Sequence, residues 1–250
     1  MQRHALTDAQ WRRLQGVLPR QRAGPKAKRG DRLFIEAVIF RAKTGLPWRD
    51  LPERFGPWKS VYNRLVNWAK RDVWAVIFRE LQLEVDETGS IVDGSVVRAH
   101  QDASGGKGGV QRNALGRSRG GFSTKLHAVV DTKTPPIHLT LTPGQRHEMI
   151  VADELLSHAR GKALIGDTGY DSNRFRQAVR DRCMRPVIGS KPERPRKLPV
   201  VRALYEKRYL VEIFFHNLKR LRAIATRYEK TARNYLALVQ VACAVLWLKT

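Results

Sequence analysis

Residues 90–98, with the sequence SIVDGSVVR, decide the fold prediction for this chain. The segment is short and rich in β-branched residues, a pattern that is typical of a β-strand. Asp93 lies inside this otherwise apolar run, where a carboxylate is costly unless something binds it. The ordinary alternative is a strand residue whose carboxylate accepts a hydrogen bond from a loop amide.

Downstream of this strand, short β-rich segments alternate with helical ones. We predict strands over residues 122–131, 137–141, 163–166 and 186–188, and helices over residues 148–159, 172–182 and 201–222. The order is therefore three strands, helix, strand, helix, strand, helix. This order predicts an α+β fold, with a ribonuclease-H-like mixed sheet flanked by helices.

Upstream of residue 86 the apolar pattern is helical throughout. One stripe contains Trp11, Leu14 and Leu18, and another contains Trp58, Tyr62, Leu65 and Trp68. The pattern predicts a small all-helical domain over residues 1–86, followed by a second domain over residues 87–250. Residues 19–30 form a connector rich in Pro, Gly and basic residues, and residues 105–121 form a basic Gly-rich loop. Both are predicted to be mobile.

The composition points to a polyanionic partner. The chain has 47 Lys and Arg against 23 Asp and Glu, a net charge of +24, which is typical of nucleic-acid-binding proteins. A hydrophobic content of 42% excludes a disordered basic tail.

The cysteines and the longest apolar run exclude other classes of protein. With only Cys183 and Cys243, the chain is neither a disulfide scaffold nor a Cys-rich zinc module, and a reducing cytoplasm is expected. The apolar run at residues 235–248 is too short to span a membrane and predicts a buried C-terminal helix.

Two further features carry candidate functional groups. Asp167 directly follows the apolar strand at 163–166, and ligand sites favour such strand ends, although a turn cap is the alternative. On a helix, one stripe contains Tyr205, Arg208, Glu212 and Lys219. The stripe borders a broad apolar face made of Leu204, Leu210, Val211, Ile213, Phe214, Leu218 and Leu221. The alternative is an ordinary solvated pair between Arg208 and Glu212 at i,i+4.

Together these residues resemble a known family. Asp93, Asp167 and the spacing Tyr205-x2-Arg208-x3-Glu212-x6-Lys219 are similar to the DDE triad and the Tyr-Arg-Glu-Lys signature of bacterial insertion-sequence transposases, specifically insertion-sequence family five. Residues 46–56, 114–122 and 224–228 are also similar to sequences of that family. The resemblance covers nearly the whole chain, and no signature position departs from it.

The resemblance implies a DNA transposase with Asp93, Asp167 and Glu212 as catalytic, metal-binding carboxylates. Three carboxylates at one point stay ionised only around hard cations, and oxygen ligands suit Mg²⁺, with Mn²⁺ as a substitute. Two such ions, about 4 Å apart, can activate an attacking oxygen and stabilise the departing one. In the family, water first attacks at the ends of the element, and the freed 3′-hydroxyl then attacks target DNA.

The same resemblance implies partners and a location. Its partners would be the terminal inverted repeats of the element, target DNA, and a second copy of the chain in a homodimer on the DNA. Its location would be the bacterial cytoplasm, in association with the nucleoid.

Several basic residues are candidate DNA contacts. Lys219 and Arg208 are predicted to hold backbone phosphates, and Tyr205 either stacks on a base or simply packs. In the Gly-rich loop at 105–121, predicted to be a flexible flap on DNA, the candidates are Arg117 and Arg119.

The helical domain has the outline of a helix-turn-helix. Its second helix, from Trp58 to Lys70, would expose Lys59, Arg64 and Lys70 to the phosphates of terminal repeats. The alternative is a helical hairpin that packs on the catalytic domain or dimerises.

Other polar residues are set aside, and two other functions compete. Asp131 precedes a turn and Asp171 resembles a helix cap, so neither is placed in the site. The spacing of His127, His138 and His147 fits no zinc pattern, and these residues are expected to be surface or partly buried. One competing function is a sequence-specific DNA-binding protein or repressor derived from such an element. The other is a nuclease of the same fold without strand transfer.

Overall fold

The computed structural model describes residues 4–18, 29–82, 86–133 and 136–248. Most of the predicted connector at 19–30 lies outside these residues, as does Pro135, between the predicted strands at 122–131 and 137–141. The chain forms two compact units. A helical unit contains Met1–Leu83, Ala99–Asn113 and Leu218–Thr250, and a sheet unit contains Glu84–Arg98 and Ala114–Asn217.

The described helices are numbered along the chain. They are α1 (Asp8–Val17), α2 (Gly30–Thr44), α3 (Trp58–Lys70), α4 (Val73–Glu80), α5 (Gly109–Arg112), α6 (Ala152–His158), α7 (Asn173–Asp181), α8 (Arg202–Tyr205), α9 (Tyr209–Lys219), α10 (Arg222–Ala225) and α11 (Ala232–Trp247). None of the helices in the described segments has the length and apolar content that a membrane crossing requires.

The described strands are numbered in the same way. They are β1 (Ser90–Ala99), β2 (Gly116–Ser118), β3 (Gly121–Asp131), β4 (Pro136–Pro143), β5 (Ala163–Gly166), β6 (Arg185–Ile188) and β7 (Thr226–Arg227). Each predicted strand is present, with bounds within one or two residues of those expected.

The sheet unit has a mixed sheet in which β1 is central. β1 pairs antiparallel with β3 and parallel with β5. β3 continues antiparallel to β4, and β5 continues parallel to β6. The strands lie in the spatial order β4-β3-β1-β5-β6, with the short β2 on the first residues of β3, and they form the mixed sheet that the order of elements along the sequence predicted. The α+β prediction is therefore confirmed.

Helices α6 and α7 supply the apolar side chains that cover this sheet. Leu155 of α6 and Phe175 and Val179 of α7 pack with Val92 of β1 and Leu164 of β5 in one buried cluster. Strand β5, which lies between β1 and β6, is buried along its length, and this explains its uninterrupted apolar sequence. This packing fixes the two strands that position the candidate aspartates.

The helical unit is built around the C-terminal helix. Helix α11 packs against α2, α3 and α4, and eleven of its sixteen residues are buried. A helix that is apolar on nearly every side must be surrounded by other elements. The predicted buried C-terminal helix is confirmed. Its contacts assign it to the helical unit, whereas the predicted division at residue 86 grouped it with the sheet.

The Gly-rich segment at 105–121 has more structure than the predicted flap. Its first part contains the single helical turn α5, where the Asn113 side-chain amide donates to the carbonyls of Gly106 (3.3 Å), Lys107 (3.1 Å) and Gly109 (2.8 Å). Its second part is β2 and the turn into β3. The segment therefore contains regular elements, and one buried asparagine contacts its first part through these hydrogen bonds.

Asp171 does not cap a helix, contrary to expectation. The cap of α7 is Ser172, whose hydroxyl accepts a hydrogen bond from the Phe175 amide (3.1 Å). The Asp171 carboxylate, 1% exposed, instead pairs with Arg176 and with Arg194, at 2.8 Å in each case. These two cations and the Lys191 amide lower the pKa of Asp171, although burial alone would raise it. The network ties the segment after β6 to the start of α7.

We expect Asp171→Ala to lower the free energy of unfolding by about 3–5 kcal/mol, because it leaves Arg176 buried without its partner. Denaturant titration at neutral pH measures this loss. The matched control is Asp153→Ala, which breaks an exposed pair with Arg174 and should cost less than about 1 kcal/mol. Equal losses in the two variants would contradict a structural role for the buried network.

Candidate active site

Parallel pairing of β1 with β5 brings two aspartates side by side. Val92 of β1 lies in register with Gly166 of β5, and the next residue on each strand is an aspartate, Asp93 and Asp167. Asp93 therefore lies within the sheet, whereas Asp167 directly follows its strand. The sequence prediction that these two residues approach each other agrees with this register.

Both alternatives weighed for these aspartates describe real contacts. The Gly94 amide donates to Oδ1 of Asp93 (2.7 Å), and the Gly169 amide donates to Oδ1 of Asp167 (2.9 Å). Asp167 thus does cap the turn that follows its strand. The turn bond orients its carboxylate, and it leaves a carboxylate pair at the edge of the sheet that a simple cap does not require.

The environment of Asp93 opposes its negative charge. Its side chain is 18% exposed, and burial, followed by the repulsion of Asp167, raises the pKa of Asp93 to about 6. The Gly94 hydrogen bond and the Arg208 guanidinium act in the opposite direction but do not outweigh burial. A buried carboxylate beside a second one favours a bound cation.

Arg208 links Asp93 to the third candidate acid. Its Nη1 lies 3.8 Å from Oδ2 of Asp93, and its Nη2 donates to Oε1 of Glu212. The i,i+4 pair considered from the sequence is therefore present. It is not an ordinary solvated pair, because the same guanidinium also approaches the buried Asp93. The Glu212 side chain is 55% exposed.

The helix that carries these residues differs from the single helix predicted over 201–222. It consists of α8, a 3₁₀ turn at Glu206–Arg208, and α9, which ends at Lys219. On α9, Val211 and Phe214 are buried as predicted. Ile213 is 41% exposed, and Phe215, which was not placed on the apolar face, is buried. The change of helical pitch before α9 shifts the buried face away from that of a regular helix.

Tyr205 contacts backbone. Its hydroxyl approaches Gly189, after β6, so closely that a Cβ at that position would lie 2.7 Å from the hydroxyl oxygen. This contact agrees with the packing alternative for Tyr205.

The other predicted DNA-contacting residues fall into two groups. Exposed side chains belong to Arg117 in β2, Arg119 in the turn before β3, and Lys59 and Lys70 on α3. Lys219 is half-buried, and burial lowers its pKa.

Arg64 does not have the exposed position predicted for it. It pairs with Asp31, and its guanidinium lies 4.3 Å from the Phe34 ring centroid and 5.0 Å from that of Trp68. These contacts hold the cation against the helical unit rather than in solvent. Exposure was predicted because Arg64 lies on a polar stripe of its own helix. The sequence of that helix does not show that Asp31, on α2, forms an ion pair with Arg64.

Sequence reasoning missed two features near Asp93. His127 was expected at least partly exposed but is fully buried, and its Nε2 contacts the Thr142 hydroxyl at 2.8 Å. Burial, followed by the charge of Lys125, lowers the pKa of His127 to about 4. A Cβ at residue 94 would lie 2.9 Å from Nδ1 of this ring, which explains a glycine directly after Asp93.

The second missed feature is an ion pair between Lys125 Nζ and Glu148 Oε1, at 2.7 Å, with 11% and 22% of the side chains exposed. The charge of Glu148 contributes to the raised pKa of Asp93. A lysine inside an apolar strand was the available sequence signal for this pair.

The arrangement can be compared with what a metal ion requires. Its donors are carboxylate oxygens, the ligands that Mg²⁺ and Mn²⁺ prefer, and Asp93 is destabilised as an anion. In the described segments, no three Asp, Glu, His or Cys side chains are close enough together to hold one ion. Arg208 occupies the place between Asp93 and Glu212. The donor chemistry therefore fits a hard cation. For Glu212 to bind such a cation, its carboxylate must first leave the Arg208 guanidinium.

Comparison with known proteins gives consistent matches along the chain. Residues 84–247 match a family model described as a transposase DDE domain, and residues 6–78 match one described as a putative transposase of IS4/5 family. The putative transposase for insertion sequence element IS6501 of Brucella ovis is 36% identical over 130 residues, which cover 51% of this chain and 100% of that protein.

Two other matches differ in kind. The uncharacterized protein y4sN of Sinorhizobium fredii is 39% identical over 106 residues, or 41% of this chain and 82% of that protein. Among solved structures, a piggyBac transposase in a synaptic complex with hairpin DNA aligns with a TM-score of 0.46 and 11% identity, over 93% of this chain and 69% of that chain.

We expect Asp93→Asn to stabilise the metal-free protein at neutral pH. The pKa of Asp93 in the folded state, about 6, lies above its ordinary value of 3.8, so the wild type should lose about 1–3 kcal/mol of unfolding free energy as the pH rises from 4 to 7. The variant should not show this loss. Denaturant titration in EDTA at several pH values measures the difference.

The control for this experiment is Asp181→Asn at the exposed end of α7. This variant keeps Asp93, so its unfolding free energy should fall from pH 4 to pH 7 as that of the wild type does. The electrostatic account of the site would be contradicted if the unfolding free energies of the wild type and of the Asp93→Asn variant changed by the same amount between pH 4 and pH 7.

Proposed function

The chain belongs to the transposase DDE domain family, and we propose that it cleaves insertion-sequence ends and joins them to target DNA by metal-dependent phosphoryl transfer. One observation carries the proposal. Asp93 and Asp167 follow registered residues of two parallel strands, and Arg208 joins Asp93 to Glu212. Three separate parts of the sequence thus contribute acids to one neighbourhood of the sheet unit.

We propose that Asp93, Asp167 and Glu212 hold two Mg²⁺ ions, or Mn²⁺ in their place. Divalent ions held there would activate the attacking oxygen and stabilise the departing one in an in-line displacement at phosphorus. Asp93, Asp167 and Glu212 would each supply carboxylate oxygens as ligands of these ions. The exposed position of Glu212 supports this role, since its side chain can leave Arg208 by rotation about its own bonds.

Arg208 has two roles in this proposal. Without metal, its single positive charge partly offsets the negative charges of Asp93 and Glu212. Once released from them, its guanidinium is positioned to bind a phosphate of the terminal nucleotide, since guanidinium groups form paired hydrogen bonds with phosphate oxygens. Lys219 in the last turn of α9 would bind another phosphate, and Arg117, Arg119, Lys59 and Lys70 would extend the contact along the DNA.

The remaining expectations about DNA are part of the same proposal. The substrates are the terminal inverted repeats of the element and target DNA, and the active species is a homodimer assembled on them. Helix α3 would contact the repeats through Lys59 and Lys70, while Arg64 stabilises the helical unit through Asp31. The net charge of +24 supports a partner with a dense negative charge.

Two competing functions predict different products. A repressor derived from such an element requires α3 but no acids, and the paired aspartates with the Arg208–Glu212 link argue against it. A nuclease of the same fold would use the same acids and would stop after hydrolysis. Only strand joining separates it from a transposase.

The central test uses Mg²⁺ and DNA that ends in the terminal repeats of the element. We expect cut ends and joined strands with the wild type, and a loss of both with Asp167→Asn, while DNA affinity stays within a few-fold because a metal ligand is removed and not a DNA contact. The control is Asp153→Asn, on the exposed surface of α6. Cut ends without joined strands would favour the nuclease, and undiminished cutting by Asp167→Asn would refute the site.

A second test concerns Lys219. Lys219→Ala should reduce the slope of log affinity against log salt concentration by about 0.9, the value for one phosphate contact on duplex DNA. The control is Lys162→Ala, an exposed lysine at the opposite end of β5 from Asp167. A slope that is unchanged in Lys219→Ala, or reduced equally in both variants, would contradict the phosphate contact.

A further inference from the structure

The helical unit contains a cavity of about 440 Å³, separate from the acids of the sheet unit. Its lining comes from four stretches of the chain: the end of α2 with the loop after it, the first turns of α3, the exposed Asp102, and residues 228–230. Its volume falls within the roughly 300–1,000 Å³ that is common for ligand sites. Nothing in the proposed phosphoryl transfer uses it.

Four aromatic side chains line this cavity, which we name the aromatic cavity: Trp48, Trp58, Tyr62 and Tyr228. The Trp48 and Tyr62 rings lie 5.4 Å apart at 60°. Tyr228 is 41% exposed and stacks on His100 at 4.6 Å and 25°. This Tyr228 ring therefore has a fixed orientation although much of it faces solvent. Aromatic faces held in this way can stack on a planar ligand.

The aromatic cavity also contains a buried carboxylate. Glu229, whose side chain is 7% exposed, accepts a hydrogen bond from Trp48 Nε1 at 3.2 Å and lies 3.7 Å from Nη2 of Arg41. A carboxylate has about four acceptor positions, so these contacts leave it able to accept further donors. Arg41 is 4% exposed, and its Nε has no hydrogen-bond partner in the described part of the chain. The lining thus offers both an acceptor and a buried donor.

These groups select the chemistry of the occupant. Stacking surfaces favour a flat ring, and the Glu229 carboxylate favours a ring edge with N–H donors, such as an exocyclic amino group. The same carboxylate repels a phosphate group. The occupant is therefore a nucleobase, with its phosphates outside.

Basic residues at the border of the cavity suit those phosphates. Lys230 is a lining residue, and Arg49 and Lys59 each lie with their cationic group 5.8 Å from the Trp58 ring centroid. Lys59 lies on α3, the helix already proposed to contact DNA, and Tyr62 one turn later lines the cavity. A DNA strand that follows the basic residues of α3 would pass this opening.

We propose that the aromatic cavity binds one unpaired, amino-bearing nucleobase of a DNA strand, stacked on Tyr228 and hydrogen-bonded to Glu229. This inference rests on the proposed DNA function. A base must leave the duplex to enter, and that cost is smallest where the base has no partner. The site would therefore favour DNA with a single unpaired adenine over the same fully paired duplex.

The test compares affinities of the full chain, in EDTA, for three duplexes of the terminal-repeat sequence: fully paired, with one bulged adenine, and with one bulged thymine. We expect the bulged adenine to bind most tightly. Tyr228→Ala should reduce that preference by about tenfold, the usual cost of losing one base-stacking ring, while affinity for the paired duplex stays unchanged. Tyr228→Phe, which keeps the ring, should retain the preference.

The matched control is Tyr209→Ala, another exposed tyrosine, which lies on α9 and does not line the cavity. It should retain the preference of the wild type. Adenosine monophosphate is added as a competitor to distinguish a base within DNA from a free nucleotide. The proposal predicts that it competes weakly, because it lacks the flanking phosphates that the basic residues bind.

Each other outcome contradicts a specific part of the account. Equal affinity for paired and bulged DNA, or a preference that survives in Tyr228→Ala, would overturn the nucleobase site and leave the proposed function standing. Equal affinity for bulged adenine and thymine would overturn the role of Glu229. If adenosine monophosphate competed as tightly as the bulged-adenine duplex binds, the cavity would be assigned to a free nucleotide instead. Failure to bind any of the duplexes would overturn both proposals.

Discussion

The burial of most of the Asp93 carboxylate beside a second carboxylate, Asp167, is the constraint on which the candidate site of the sheet unit depends. The parallel pairing of β1 with β5 fixes Asp93 beside Asp167, and α6 and α7 fix the pairing by packing on the same strands. The fold therefore opposes the charge of Asp93, whose pKa rises to about 6. A protein retains such an arrangement when a cation or substrate uses it, because the charge otherwise costs stability.

Arg208 is the residue that makes this arrangement tolerable without metal. A single guanidinium approaches Asp93 and binds Glu212, so one positive charge partly offsets the two carboxylates. A cation that binds these acids must compete with the Arg208 guanidinium. Because the Glu212 side chain is exposed, it can exchange Arg208 for a cation with little disturbance of the core.

The sequence predicted most of the fold because each element carries its own local signal. The strand bounds, the extent of α3 and the buried α11 follow from apolar periodicity alone. The departures arise where particular side-chain contacts prevail over a local pattern. Asp171 binds two arginines instead of capping α7, and Asn113 forms hydrogen bonds within a Gly-rich segment that was expected to be a flexible flap. Arg64 is turned toward Asp31 and the Phe34 ring for the same reason.

By itself, the sequence determined the order of the elements and the positive charge, and it predicted which acids form the site, because periodicity, composition and signature spacing can be read along a chain. Tertiary structure alone decided that Arg208 stands between Asp93 and Glu212, and that Trp48, Tyr62 and Glu229 surround one cavity. Asp93 is more than a hundred residues from Arg208, and Trp48 is more than a hundred residues from Glu229, so only the packing of helices and strands determines that these side chains meet.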